Sequence, residues 1–142
     1  AARGGALVPT VTMTVRGSDQ LRRNLNRLAG NERRQAQRDG LEAGARIVET
    51  RVKIALSGPS PSAPGEPPGL DTGFLRNSVQ VDSVTPTEAI IAPHTDYAEF
   101  LEFGTSRMAA RPFMRPALDE NEAEIIGAVE ATVAAFVESV RA

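Results

Sequence analysis

Residues 57–70 read SGPSPSAPGEPPGL, with five prolines and three glycines in fourteen positions. Each proline fixes φ and removes a backbone N–H, so neither a helix nor a central strand runs through this stretch. The chain is therefore divided into a block before residue 57 and a block after residue 70, joined by an extended loop longer than an ordinary connector. Prolines hold such a loop near polyproline geometry and so reduce the entropy lost when it packs against a partner; a plain connector is the alternative reading. With 142 residues the two blocks fit one domain over 1–142, in which residues 1–9 are expected to form a flexible arm. Aromatics make up only 4% of the chain, so the core must be built mainly from Val, Ile, Leu and Ala.

Periodicity supplies the elements. Residues 10–16, TVTMTVR, alternate, with Val11, Met13 and Val15 on one face, which predicts a half-buried strand. Gly17 ends it, and Ser18 and Asp19 suit a helix start because their oxygens accept unpaired backbone N–H groups. Leu21, Leu25 and Leu28 share one helical face, which Gly30-Asn31 interrupts or bends. Leu41, Ala45, Val48, Val52 and Ala55 then recur at spacings of four and three, opposite Arg38, Glu42, Arg46, Glu49 and Lys53, which predicts a helix over 31–56. Beyond the loop, Val79 and Val81 alternate with polar residues, Thr85-Pro86-Thr87 marks a turn, and residues 88–92 return, which predicts a hairpin. Residues 97–103 suit a short helix with Tyr97, Phe100 and Leu101 on one side, Glu99 and Glu102 on the other, and Gly104 as its cap. Pro116 at a first helical position, Asp119, Glu120 and Glu122 behind it, and an apolar stripe of Leu118, Ile125, Val129, Val133, Phe136 and Val140 predict a last helix over 116–140. The expected fold is α+β, a small antiparallel sheet packed by two long helices, with the long Pro-rich loop between.

Little in the chain points to chemistry. It has no cysteine, which removes disulfides, thiolate metal sites and a cysteine nucleophile. His94 is the only histidine, and His94-Thr95-Asp96 follows a strand, where a polar turn is expected anyway. No phosphate loop, dinucleotide fingerprint or nucleophile elbow occurs. Gly104-Thr105-Ser106, with Arg107 and Arg111 nearby, could hold an anion on backbone N–H groups, but the same residues make an ordinary turn. No catalytic residue, cofactor, metal or small-molecule substrate is expected, and we read the chain as no enzyme. No apolar run approaches the roughly 20 residues of a membrane span, and the N-terminal residues lack the apolar region of a signal peptide, so no membrane partner is expected.

Charge is uneven. Residues 1–53 hold eleven basic and five acidic side chains, whereas residues 54–142 hold five and thirteen. Such asymmetry suits nucleic-acid contact, for which Arg33, Arg34 and Arg38 in the basic 22–53 region are the candidates. It equally suits copies docking head to tail, basic face on acidic face. The basic region lacks the interleaved aromatics of single-strand binders and any recognisable nucleic-acid motif. A solvated helix face is the plain reading of its arginines.

Residues 97–117, YAEFLEFGTSRMAARPFMRPA, gather four of the chain's six aromatic residues with three arginines and two prolines. Together with Pro67-Pro68-Gly69-Leu70-Asp71-Thr72-Gly73-Phe74-Leu75-Arg76-Asn77-Ser78, this stretch resembles the signature of a family of tailed-bacteriophage neck and tail components of siphophage type, the gene-product-ten-like proteins. The order of elements agrees as well, and the resemblance covers roughly residues 17–140. The Pro-rich loop is longer than the family's usual one.

The resemblance implies a structural virion protein of the neck, forming a ring that completes the tail or joins it to the head connector. Its relatives assemble in the bacterial host cytoplasm and form rings, commonly hexameric on the tail side. The implied partners are further copies of the chain and the neighbouring connector, stopper, terminator or tube proteins, with DNA only as passing cargo. A tail terminator capping the tube is the alternative within the class, and a small nucleic-acid-binding protein the alternative outside it. Arginine, methionine and aromatics are enriched at interfaces, so Arg107, Met108, Arg111, Phe113 and Arg115 are contact candidates, with Pro64, Pro67 and Pro68 on the loop. Tyr97 and Phe100 are expected in the core under the sheet, which is also the alternative for Phe103 and Phe113. Residues 104–115 are expected to matter more for particle joining than Arg33 and Arg34.

Overall fold

The computed structural model describes residues 8–16, 18–60, 62–63 and 65–141. Its elements run β1 (Val11–Met13), α1 (Asp19–Leu25), α2 (Gly30–Ala55), α3 (Phe74–Ser78), β2 (Gln80–Val84), β3 (Ala89–Ala92), α4 (Ala98–Phe103), α5 (Arg115–Asp119) and α6 (Glu122–Arg141). The α+β architecture is the one the periodicities predict. Of the arm expected over residues 1–9, positions 1–7 lie outside the described residues, and Pro9 is buried.

The sheet is antiparallel in the order β1-β3-β2. Its central strand β3 buries Ala89, Ile91 and Ala92, and Val11 pairs with Ile91. On the other side the register slips by one between Val81 and Ser83, so Asp82 is the extra residue of a bulge. One face of α2 covers the sheet. Leu41, Ala45, Val48, Val52 and Leu56 join Val11, Met13, Val79 and Ile91 in the main core. Glu49, on the flank of that face, accepts from the Val81 N–H at 3.1 Å and from Lys53 Nζ at 3.2 Å, so it ties α2 to the edge of the sheet.

α6 packs along α2 in the opposite direction. Gly40 faces Val129 and Val133, Gly44 faces Ile125 and Val129, and Arg51 pairs with Glu124. A methyl group added at Gly40 would stand 3.0 Å from Val133 Cγ2 and 3.2 Å from Val129 Cγ1. Valines are stiff at χ1, so these methyls cannot swing aside. The glycine that costs α2 helix propensity therefore lets the two helices approach. Gly40→Val is expected to lower stability by about 1–3 kcal/mol through overpacking. Gly40→Ala should lie nearer the parent, because its gain of about 1 kcal/mol in propensity offsets part of the clash. Chemical denaturation of both variants checks the ordering.

A second apolar cluster holds α1 against α6 through Leu21, Leu25, Leu28, Val129, Val133 and Val137. Ser18 caps α1 by accepting from the Leu21 N–H at 3.2 Å, and its hydroxyl donates to Glu130 on α6 at 2.6 Å. One serine thus starts the helix and fixes it to its neighbour.

Candidate functional site

The site is built on α4 and the chain that follows it. Ala98 and Glu102, one turn apart, both face inward, and Glu102 is only 6% exposed. Its Oε1 accepts from the backbone N–H groups of Phe113 at 2.8 Å and Met114 at 2.9 Å, and its Oε2 from that of Arg115 at 3.3 Å. These groups lead into α5, where aligned peptide dipoles favour a negative charge. Glu102 therefore holds the Arg111-Pro112-Phe113 segment against α4, a role that its helical spacing with Glu99 does not suggest.

Between them the chain makes a tight excursion. Gly104 has φ of +77°, and a Cβ there would stand 2.8 Å from the Ala110 nitrogen, so only glycine fits. Thr105 and Met108 pair across the turn, and Thr105 Oγ1 accepts from the Arg107 N–H at 3.2 Å. The Arg111 N–H then returns to the Leu101 carbonyl at 2.6 Å. The conspicuous EFGT and RPF residues are thus mainly a device for folding 102–115 back onto α4.

Because Glu102 takes the inner face, the aromatics turn outward. Tyr97 and Phe100, expected in the core, are 41% and 47% exposed, and Phe103 is 60% exposed. Phe113, a contact candidate, is wholly enclosed in the main core. Arg111 donates through Nη1 to the Ser62 carbonyl at 2.8 Å and to the Ser62 hydroxyl, which pins the Pro-rich loop to the 104–115 segment of the same chain. Arg115 is exposed and reaches Asp119 at 3.3 Å, Arg107 is exposed at the turn, and Met108 is half-buried. Pro67 and Pro68 are half-buried, and Pro64 lies outside the described residues.

The second motif forms the other wall. Thr72 Oγ1 accepts from the Phe74 N–H at 3.2 Å to start α3, whose Leu75 is buried. Ser78 donates to the Leu75 carbonyl at 2.7 Å and accepts from the His94 N–H at 3.1 Å, which sets α3 beside the end of β3. Phe74 is left 61% exposed. A groove of about 230 Å³ runs between α3 and α4, lined by Leu56, Pro68, Leu70, Phe74, Tyr97 and Leu101, with Arg76 on its rim. Phe74 and Tyr97 line this open groove, and Phe100 and Phe103 are exposed further along α4. Neither α3 nor Phe74's place in the site was apparent from periodicity, which five residues cannot display.

The basic region lies elsewhere. Arg33, Arg34 and Arg38 are exposed on the first turns of α2. Arg34 donates to Asn31 at 3.2 Å, and Arg38 to the Val84 carbonyl at 3.3 Å. His94 pairs with Asp82 of the bulge at 2.8 Å, and Asp96 is exposed at the turn before α4. None of the helices described is long and apolar enough to cross a membrane.

A family model described as "Bacteriophage HK97-gp10, putative tail-component" matches residues 19–104. The chain belongs to this family. It is therefore a tail-associated structural component of a bacteriophage, placed in the virion and working against other tail or head–tail proteins. The matched segment runs from α1 through Gly104, so it includes α3, the groove and all four exposed aromatics, and ends before Arg111-Pro112-Phe113 and α6. No curated protein and no solved structure matches the chain.

Proposed function

We propose that this tail component is a non-enzymatic neck protein that forms a closed ring, a hexamer, which completes the tail or joins it to the head connector after assembly in the host cytoplasm. The exposure of Phe74, Tyr97, Phe100 and Phe103 within the family-matched segment carries this reading. A monomer of this size has no folding reason to leave four of its six aromatics half in water, since each would bury about 150–250 Å² in a core. A neighbour supplies the reason. Connectors and terminator or tube proteins are the further partners, and DNA passes through the ring without being read.

Light scattering of the purified protein, alone and with isolated tails or head connectors, tests the reading. A ring mass, or a stable complex with either particle, is expected. A monomer that ignores both would sink it. A salt titration with duplex DNA gives a second check. A ring component should bind little at physiological ionic strength, whereas a DNA-binding protein using Arg33, Arg34 and Arg38 would bind there and lose affinity steeply as salt rises.

A further inference from the structure

The docking surface and the arginine cluster lie at opposite ends of one rigid helix. α2 runs 26 residues, roughly 39 Å at 1.5 Å per residue. Leu56, at its C-terminal end, is part of the groove wall. Asp71 lines that groove, exposed Asp96 directly precedes the groove residue Tyr97 in the chain, and the cation of the lining is Arg76. Arg76 is already engaged, donating to Asn77 at 3.3 Å and to Ser57 at 3.4 Å.

The N-terminal end of α2 has the opposite character. Arg33 and Arg34 stand on its first turns, and Arg22 of α1 shares a shallow recess with Arg33. Arg23 and Arg27 are exposed on α1 and the turn after it. These five arginines are set against Asp19 and Glu32 alone in residues 18–35. The Arg22–Asp19 pair is 3.6 Å apart and largely exposed, so its closure holds little free energy against a competing partner.

From this arrangement we infer that the acid-fringed aromatic groove of one copy takes the arginine end of α2 from the next copy. Guanidinium groups stack on aromatic faces and pair with carboxylates at the same time, and the groove offers both. The two complementary patches occupy different ends of the protomer, so the contact is head to tail and leaves each added copy with one free patch. It therefore propagates in one direction and closes only if the rotation between copies closes, which is the property a ring needs. The inference rests on the ring reading above and names its contact.

Because the chain has no cysteine, the contact can be trapped without background. Phe100→Cys and Arg34→Cys, both at exposed positions, are prepared separately and as one doubly substituted chain, and are oxidised alone and on isolated tails. Mixing the two single variants should give a linked dimer containing one of each, and the double variant a ladder of linked multimers. Phe100→Cys chains linking to one another as fast as to Arg34→Cys would mean aromatic face on aromatic face, and the inference would fall. It would fall equally if the ladder were no stronger than in denaturant. It would also fall if Arg22→Glu with Arg33→Glu, added to the doubly substituted chain, abolished duplex DNA binding at physiological salt but left the ladder intact, since the arginines would then serve nucleic acid. Binding of the wild-type chain to tails is read in parallel. Tail binding without the ladder removes this contact and leaves the neck assignment standing, whereas loss of both removes the two together.

Discussion

Glu102→Ala is expected to lower stability by about 3–5 kcal/mol, although the substituted residue carries no apolar contact of note. The loss comes from the three backbone N–H groups of Phe113, Met114 and Arg115 that Glu102 now satisfies. Two of these bonds are buried, and an orphaned buried donor costs about 1–3 kcal/mol. Alanine leaves no acceptor in their place. For a chain of this length the midpoint of thermal unfolding should fall by roughly 10 °C. Glu102→Gln keeps one oxygen in nearly the same position and should show about half the effect. The neighbouring substitution Glu99→Ala, on the outer side of α4, should change stability by less than about 0.5 kcal/mol. Thermal and denaturant unfolding of the three variants decides the matter. If Glu102→Ala and Glu99→Ala proved equally mild, the capping role would be wrong.

The same residue explains why the fold was more legible than the site. The two long helices are written in spacings of three and four, and α2 and α6 lie close to where those spacings put them. The ends depend on partners that periodicity does not see. The alternation through residues 10–16 suggested a longer strand, but β3 offers only Ala89 to Ile91 opposite it, so β1 stops at Met13. The spacings predict one continuous last helix, yet it breaks at Glu120-Asn121, where the Asn121 amide donates to the Ala117 carbonyl at 2.9 Å. A side chain that bonds the preceding turn competes with helix continuation. The acidic residues that looked like one first turn are therefore the end of α5 and the start of α6.

At the site the residue types were legible and their direction was not. Tyr97, Phe100 and Phe103 were visible as a cluster, but hydrophobicity alone sends them inward. Their outward direction follows from a buried carboxylate, whose burial is favourable only because residues 113–115 return to meet it. That contact spans eleven or more positions and leaves no local trace. The one usable signal was Ala98, the small residue that marks the close-packed side of α4 and has Glu102 one turn along the same side. Arg111 shows the converse. It looked available to a neighbour, and the structure engages it with Ser62 of its own loop.

Replacing Phe74, Phe100 and Phe103 together by serine should abolish self-association and tail joining while leaving the fold intact. The three side chains are 61%, 47% and 60% exposed, so little buried apolar surface is lost and the change in stability should stay within about 1 kcal/mol. Aromatic anchors at the centre of an interface contribute on the order of 2 kcal/mol each, so association should weaken by a factor of a thousand or more if two or three of them are shared with the partner. Phe113→Ala provides the control, because Phe113 is fully buried and its truncation should cost about 3–5 kcal/mol. The two variants fail by different routes, one as a folded monomer and one as a destabilised chain, and circular dichroism with co-sedimentation on isolated tails separates them. A triple-serine variant that still sedimented with tails at the wild-type level would move the docking surface away from α3 and α4. A variant that stayed folded and soluble but unbound would show that the aromatics are kept at the surface for a partner, since the folded chain itself makes no use of them.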